Sequence, residues 1–402
     1  MITQIKTFPN TIWFTPLLCL SAIAWLAPAT AENLVYDGTE GSGAGKHIVF
    51  IANDHEYRSE ETCPLLAKIL AKHHGFRCTV LFGIDEEGHI KTGDAGVPGM
   101  EALADADLLV FYTRFMNLPD EQVDLLVDYF ERGGPAVGIR TSTHCFNGQE
   151  GKWAKLNYNY EGEDYLGGLG EQIFGNTWHK ERGQTHYGSN HNMGGRITPV
   201  ESAVDHPINR GVSEMHTYSG AYSSRPPSGA TPLLEVQVLN TFGPSDEINP
   251  EKPIVNAGWT RDHYVAPSGK KNEARIVYAS YGASEDLLDE DARRFLINAC
   301  FWAIGFEAVI TPNLDVSIVG GFQPSPYTTG AFFREGVKPT DLADWNSQIM
   351  PAEARIGGLE EPTAFMSGRI DRALTPRPEL VKELEATYPG FNRSLYQPQP
   401  KK

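Results

Sequence analysis

Basic side chains are scarce in this chain. Its 402 residues contain 34 lysines and arginines against 51 aspartates and glutamates, which gives a formal net charge of −17 at pH 7. Proteins that bind the phosphates of nucleic acids or anionic lipids need clustered lysine and arginine. We therefore expect no nucleic-acid partner, whereas small neutral ligands such as sugars are compatible with this charge.

A strongly apolar segment lies only near the N-terminus. It runs from Ile12 to Leu26, follows the weakly basic Lys6 and precedes Ala29-Thr30-Ala31, a small-x-small cleavage site. This order is typical of a secretory signal peptide, and Pro16 interrupts the run, which disfavours a membrane span. The sequence predicts a signal peptide at residues 1–31, export to the periplasm or the medium, and no stable membrane span after cleavage. An uncleaved anchor is the alternative.

Cysteine is also rare, with four residues beyond the predicted signal peptide: Cys63, Cys78, Cys145 and Cys300. An exported protein could oxidise them. About ten helical residues, on the order of 15 Å, separate Cys63 from Cys78, whereas a disulfide needs Cα atoms within about 7 Å. This pair is excluded, and the pairing of Cys145 with Cys300 stays open.

A phosphate-binding loop is absent too. The segment Gly41-Ser42-Gly43-Ala44-Gly45-Lys46 resembles one in composition, but it precedes a strand-like segment instead of following one. His47 stands where serine or threonine would bind magnesium. Nucleotide binding at this loop is not expected.

The chain does have a regular alternation of strand and helix patterns. Strands are predicted near residues 47–52, 77–82, 107–112, 136–139 and 275–280, with helices between them. Alternation at this spacing predicts an α/β fold with a doubly wound parallel sheet. We assign residues 46–310 to one such domain and expect residues 153–256 within it to be irregular. Residues 311–402 are interpreted as an extended, partly disordered C-terminal arm.

Three of these strands run directly into clusters of polar side chains. The clusters are residues 53–58 (Asn-Asp-His-Glu-Tyr-Arg), 112–114 (Tyr-Thr-Arg) and 140–145 (Arg-Thr-Ser-Thr-His-Cys). In open α/β sheets, ligands bind at the carboxyl ends of parallel strands. The clusters therefore predict one shared pocket, and three unrelated surface loops are the alternative.

The third strand end has the pattern of a sharp turn but lacks a nucleophile. Val137-Gly138-Ile139 followed by polar residues resembles the nucleophile elbow of class I glutamine amidotransferase-like domains. A cysteine follows the Gly-Ile pair there, whereas Arg140 follows it here. Arginine stays protonated and has no lone pair to attack with, so we expect no glutamine amidotransferase activity. Cys145 lies beyond the turn and is the candidate nucleophile of an alternative, thiol-dependent amidase.

The strand ends also supply candidates for proton transfer. His144 follows Arg140 by about one helical turn, so both could face one crevice, and His55 and Glu56 come from the neighbouring strand end. A histidine beside a carboxylate can act as a general acid or base near neutral pH. The candidate catalytic residues are His144, His55 and Glu56. The candidate substrate-binding residues are Arg140, Arg114, Arg58, Asp54, Trp178, Tyr218 and Trp259.

Histidines and aromatic residues are concentrated between residues 153 and 260. His179 and His186 are candidate ligands of a possible divalent metal, because neutral imidazole is a common metal ligand, although no H-E-x-x-H motif is present. Whether any other cofactor is bound stays open. Rings such as Trp178, Tyr218 and Trp259 could stack on the C–H faces of sugars, and ordinary packing in the core is the alternative.

Taken in order, these motifs resemble the trehalose-utilisation (ThuA-like) family, and most of all its exported, planctomycete-type branch. The resemblance covers roughly residues 45–340 and rests on residues 53–61, 134–144, 178–179, 206–208, 274–282 and 286–305. It implies a flavodoxin-like, class I glutamine amidotransferase-like fold and a role in processing disaccharides or keto-sugars. Many relatives have a histidine after the elbow glycine, where this chain has Arg140. The family's Asp-Glu-x-Tyr segment is His216-Thr217-Tyr218 here.

The leading hypothesis is an enzyme that isomerises a keto-sugar, or eliminates from it, by acid–base chemistry without a covalent nucleophile. His144 and His55 would move protons, and Glu56 would orient His55 or act as a second base. Arg140 and Arg114 would hold oxygens that become negative. A non-catalytic sugar-binding module that uses the same pocket is the alternative.

Overall fold

The strands of the described residues form one large sheet and a small ribbon. The computed structural model describes residue 1 and residues 33–93, 96–187, 193–241, 243–351, 353–359 and 378–387. The strands are β1 (Leu34–Asp37), β2 (His47–Asn53), β3 (Arg77–Phe82), β4 (Leu108–Thr113), β5 (Ala136–Ile139), β6 (His186–Tyr187), β7 (Gly195–Pro199), β8 (Met215–Thr217), β9 (Ala221–Tyr222), β10 (Thr231–Val238), β11 (Val255–Val265) and β12 (Lys271–Ala279). The α-helices are α1 (Ser59–His74), α2 (Asp120–Glu131), α3 (Gly168–Phe174), α4 (Glu290–Ala303) and α5 (Pro378–Thr387).

The centre of the large sheet is parallel. Its strand order is β1-β3-β2-β4-β5-β12-β11-β10-β7-β8, and β3, β2, β4, β5 and β12 pair in parallel. Numbered along the chain, these five strands have the order 2-1-3-4-5, which is the flavodoxin-like order. The predicted α/β fold with a doubly wound parallel sheet is therefore confirmed.

Residues 153–256 are more regular than expected. Within them, β7, β8 and β10 pair antiparallel and, through β11, extend the sheet beyond β12. In β10 the residues from Leu234 to Val238 alternate between buried and half-exposed positions. This alternation is ordinary for an antiparallel strand with one face on the core. The expectation of an irregular region is wrong for these strands.

Helices cover both faces of the parallel strands. In β2, Ile48 and Phe50 pack in the core beneath α1 and α4, whereas Val49 and Ile51 pack in the core beneath α2 and α3. This alternation follows from the two-residue period of a strand. A strand buried on both faces reads as a continuous apolar run, as β2 does.

The four described cysteines are free and buried. Cys63 and Cys78 do not pair, as their separation in the sequence predicted. Cys145 lies in the core on one face of the sheet and Cys300 in the core on the other, so these two do not pair either.

The described part of the segment after α4 packs on the domain. Residues Ala31–Lys402 form one compact unit, and Phe322 and Ile349 are fully buried in the core that contains α1 and α4. Lys68 of α1 donates hydrogen bonds to the backbone carbonyls of Asp344 at 3.0 Å and Ser347 at 2.8 Å. Much of the predicted arm, residues 360–377 and 388–402, lies outside the described residues.

No helix in the described part of the chain is long and apolar enough to cross a membrane. The predicted signal peptide, apart from residue 1, lies outside the described residues.

Candidate functional site

A crevice lies at the carboxyl ends of β2 and β4, because the connections that follow these two neighbouring strands lead to opposite faces of the sheet. β2 leads into α1 on one face, β4 leads towards α2 on the other, and the two strands pair with Asn53 opposite Thr113. Such a switch point is where flavodoxin-like proteins bind their ligands. The residues directly after these two strand positions are Asp54 and Arg114, so two of the predicted polar clusters meet here.

Three of the predicted site residues form a connected cluster at this crevice. The Arg114 guanidinium donates from Nη1 to Nε2 of His55 at 2.9 Å, and its Nε lies 3.0 Å from Oε2 of Glu56. Guanidinium groups only donate, so Nε2 of His55 is the acceptor and its ring proton is on Nδ1. Burial, and then the charge of Arg114, lowers the pKa of His55. The ring is therefore neutral at physiological pH.

Asp54 holds the first and third strand ends together. Its Oδ1 accepts the backbone N–H groups of Glu56 at 2.7 Å and Tyr57 at 2.6 Å. Its Oδ2 accepts a hydrogen bond from the hydroxyl of Thr141, the residue after Arg140. Because both oxygens are engaged and the side chain is fully buried, Asp54 positions the turn that presents His55.

Arg58 holds the same turn through a side-chain hydrogen bond to the backbone of His55. It has a left-handed backbone with φ +65° and precedes the first residue of α1. Its Nη2 donates to the carbonyl of His55 at 3.0 Å and to the carbonyl of Thr328 at 3.3 Å. Gly330 also donates its N–H to the His55 carbonyl at 3.1 Å. The segment after residue 311 is therefore part of the site.

A cavity of about 220 Å³ lies beside this cluster. Its described lining residues are His55, Arg58, Lys91, Thr92, Gly93, Gly330 and Phe333. Lys91 to Gly93 follow β3, and the last two belong to the predicted arm. Sequence motifs predict only the first two of the seven, because the others come from loops with no motif of their own.

Gly93 leaves just enough room for the His55 ring. It has φ +89°, and a Cβ atom built on it would lie 2.9 Å from Nδ1 of His55, whereas one built on Gly88 (φ +84°) meets no atom within 4 Å. Both alanine substitutions carry left-handed strain of about 1–2 kcal/mol. We expect Gly93→Ala to displace the His55 ring and Gly88→Ala to leave it in place.

Histidine-ring ¹H–¹⁵N spectra of the two variants test this expectation. The His55 resonances should shift in Gly93→Ala and coincide with those of the wild type in Gly88→Ala, while both variants lose similar stability. Equal shifts in the two variants would mean that strain in the loop, and not contact with the ring, places His55.

Arg140 occupies the turn where an elbow nucleophile would stand. Its backbone is left-handed with φ +48°, and its guanidinium is fully buried. It donates to the hydroxyl and carbonyl of Ser219 at 3.0 Å each and to the carbonyl of Ser280 at 3.1 Å. The guanidinium carbon lies 3.8 Å from the ring centre of Tyr57 and 4.6 Å from that of Tyr222. These contacts direct the side chain to protein partners.

His144 is close to the cluster but enclosed by aromatic rings. It is 2% exposed, and its ring centre lies 4.9 Å from that of Trp178 and 5.3 Å from that of Phe115. Its Nδ1 lies 3.1 Å from the hydroxyl of Thr143. Burial, and then the charge of Arg114, places its pKa well below the ordinary value. His144 is a neutral, enclosed ring.

The two candidate metal ligands lie in different settings. Nδ1 of His179 accepts the backbone N–H groups of Glu181 and Arg182, each at 3.2 Å. The His186 ring packs edge-on against Trp178 at 4.8 Å between centres. Neither belongs to a group of three metal-ligating side chains among the described residues. The group found there, Asp85, Glu87 and His89, follows β3.

Three other predicted residues lie away from the cavity. Trp259 is fully buried in β11, with its indole N–H donating to the carbonyl of Phe174 at 2.9 Å. Tyr218 is buried against α5. Cys145 is buried in the core, and burial raises the pKa of its thiol. Trp178 is the predicted aromatic residue that stays near the site, through its contact with His144.

Comparisons with known proteins give structural likenesses only. No family model matches the chain. No curated protein matches it. The fold is similar to that of a ThuA-like protein from Bacteroides uniformis, with a TM-score of 0.41, 15% sequence identity, and coverage of 70% of this chain and 100% of the other. A ThuA-like protein from Parabacteroides merdae is similar with a TM-score of 0.37, 15% identity, and coverage of 65% and 90%.

Proposed function

We propose that this chain is an exported, ThuA-like enzyme that moves a proton on a keto-sugar. The observation that carries the proposal is the cluster of His55, Arg114 and Glu56 at the switch point of the sheet, beside a cavity. It combines a neutral histidine with a fixed cation, which are the two groups that enolisation requires. The export part of the proposal rests on the signal peptide predicted at residues 1–31.

The proposed reaction starts when a substrate carbonyl oxygen takes the hydrogen bond that Arg114 gives to His55. Nε2 of His55 then has a free lone pair and removes the proton from the carbon next to the carbonyl. The electron pair of that C–H bond forms the enolate, whose oxygen is bound by Arg114, while Glu56 keeps the guanidinium in place. For isomerisation, the hydroxyl proton on the deprotonated carbon passes to the enolate oxygen, and His55 returns its proton to the former carbonyl carbon. For elimination, the enolate re-forms the carbonyl, a hydroxyl group on the next carbon leaves with its bonding electron pair, and it takes the proton from His55.

We assign the proton transfer to His55 in preference to His144. His55 lines the cavity, whereas His144 is enclosed by Trp178 and Phe115. Arg140 is assigned to positioning for a similar reason, since its donors already bind protein carbonyls. The thiol of Cys145 is buried, which gives little support to a thiol-dependent amidase. Such an amidase would lose its activity when the thiols of the native protein are alkylated.

A non-catalytic sugar-binding module is the second candidate. It is favoured by the hydrogen bond between Arg114 and His55, because in the free protein the lone pair of the proposed base is occupied. In such a module the substrate would bind without displacing this contact.

Deuterium exchange separates the two candidates. Wild-type protein is incubated with a panel of keto-sugars in D₂O, and ¹H NMR follows loss of the proton next to the carbonyl. If the protein is the proposed enzyme, we expect it to exchange the proton of at least one keto-sugar at a rate well above the rate in buffer alone. Measurable sugar affinity without exchange of any keto-sugar would favour the module, and neither exchange nor affinity would overturn both.

A further inference from the structure

The cavity beside His55 differs in charge from the protein as a whole. The chain has a formal net charge of −17, yet the described lining residues include Arg58 and Lys91 and no aspartate or glutamate. Charges in a cleft with low-dielectric walls produce a strong local potential. The cavity can therefore attract an anion although the overall charge is negative.

Arg58 also has hydrogen-bonding capacity that the protein leaves unused. The side chain is fully buried, and neither Nε nor Nη1 has a hydrogen-bond acceptor among the described residues. Buried donors are nearly always paired, so these two call for an explanation. The nearest carboxyl oxygen, Oε1 of Glu60, lies 3.4 Å from Nη1.

Glu60 does not cancel the charge of Arg58 completely. Burial raises the pKa of Glu60 to about 7, although the charge of Arg58 opposes the rise. Near neutral pH a substantial fraction of this carboxyl group is therefore protonated. Arg58 then retains positive charge, which raises the electrostatic potential in the cavity that it lines.

The size of the cavity limits the ligand. Binding sites for drug-sized molecules occupy roughly 300–1,000 Å³, so a cavity of about 220 Å³ fits one sugar ring. The half-buried Phe333 lines the cavity and supplies an aromatic surface. Such surfaces suit the C–H face of a sugar.

We propose that this cavity binds one ring of an anionic sugar, a sugar acid or a sugar phosphate, with its negative group on the exposed Lys91 and within the field of the buried Arg58. This inference rests on the proposed function, because it assigns the substrate class of the same crevice. His55 lines the same cavity, so a ring held by its acidic group lies beside the proposed base.

Calorimetric titration of the wild-type protein with D-glucuronate, glucose 6-phosphate, glucose and inorganic phosphate tests this assignment. We expect at least one anionic sugar to bind about tenfold or more tightly than glucose. Whichever of D-glucuronate and glucose 6-phosphate binds more tightly identifies the acidic group as carboxylate or phosphate. Equal affinity for glucose and both anions would overturn the proposal, as would inorganic phosphate binding as tightly as the better sugar.

Matched lysine variants locate the binding site. Lys91 is exposed, so Lys91→Met should fold normally, and we expect it to weaken binding of the anionic sugar by about 10- to 100-fold. Lys270→Met removes the same charge from the exposed turn between β11 and β12. This turn lies at the end of the sheet where the parallel strands begin, away from the crevice, so the affinity should stay unchanged. Equal losses in both variants would show a general charge effect and contradict the proposed site.

Binding and exchange fail independently in these experiments. Anionic-sugar binding that depends on Lys91, without proton exchange of any keto-sugar, would keep the ligand class and remove the proposed catalysis. Exchange of neutral keto-sugars, without binding of either anionic sugar, would keep the catalysis and overturn the ligand class.

Discussion

Replacing Arg140 by methionine is expected to lower the free energy of unfolding by about 3–5 kcal/mol, the usual loss when one partner of a buried charge network is removed. The guanidinium bonds to Ser219 and to the carbonyl of Ser280. Ser219 in turn donates its N–H, at 2.9 Å, and its hydroxyl to the buried carboxylate of Asp286. Without Arg140, the carbonyls lose their donors and Asp286 loses its nearby positive charge.

Urea denaturation measures this effect, with Arg275→Met as the control. Arg275 forms a partly exposed ion pair with Glu307 at 2.8 Å, and its loss should cost within about 1 kcal/mol. If Arg140→Met is too unstable to purify, Arg140→Lys keeps the charge without the planar fork and should show a smaller loss. Normal stability of Arg140→Met together with lost sugar affinity would contradict the structural role and support substrate binding.

The sequence predicted the crevice because its main members follow strand ends. His55 and Glu56 come directly after β2 and Arg114 directly after β4, and the pairing of those strands makes their proximity a consequence of the fold. The remaining wall was not predictable in this way. Phe333 lines the same cavity as His55 although it lies 278 residues later in the chain, in a segment without the periodicity of a strand or a helix.

The misplaced aromatic residues have a related physical cause. A tryptophan in a sequence rich in polar residues suits a sugar site as well as it suits a core. Only its place in β11 distinguishes Trp259 from a residue of a sugar site. The alternation from Leu234 to Val238 indicates the neighbouring strand β10. Once β10 and β11 extend the sheet, Trp259 faces the core formed with Phe174 and Tyr278.

Replacing His55 by glutamine is expected to reduce kcat/KM for keto-sugar exchange by about 10²- to 10⁴-fold, the usual contribution of a general base. The glutamine carbonyl oxygen can take the place of Nε2 and accept the hydrogen bond from Arg114, so the cluster should keep its geometry. It cannot accept a proton from carbon. Sugar affinity should therefore change little while turnover is lost, which a purely structural role of His55 would not produce.

His263→Gln is the matched control for this loss. His263 lies in β11 opposite Glu273, near the start of β12 and therefore at the edge of the sheet away from the crevice. Its ring contacts the carboxylate of Asp262 at 2.5 Å, and its replacement should leave exchange unchanged. A raised KM with unchanged kcat in His55→Gln would assign His55 to substrate binding and place the catalytic base at another residue.

The pH profile of the wild-type protein gives an independent check on the same residue. Protonation of His55 removes the base, so kcat/KM should fall as pH decreases through the pKa of this ring. Burial and Arg114 lower that pKa, so the fall should begin on the acid side of the ordinary histidine value of about 6.5. This limb should be missing from the residual activity of His55→Gln and kept in His263→Gln. An acid limb that stays in the His55 variant would place the titrating base elsewhere in the crevice, with Glu56 as the predicted second base.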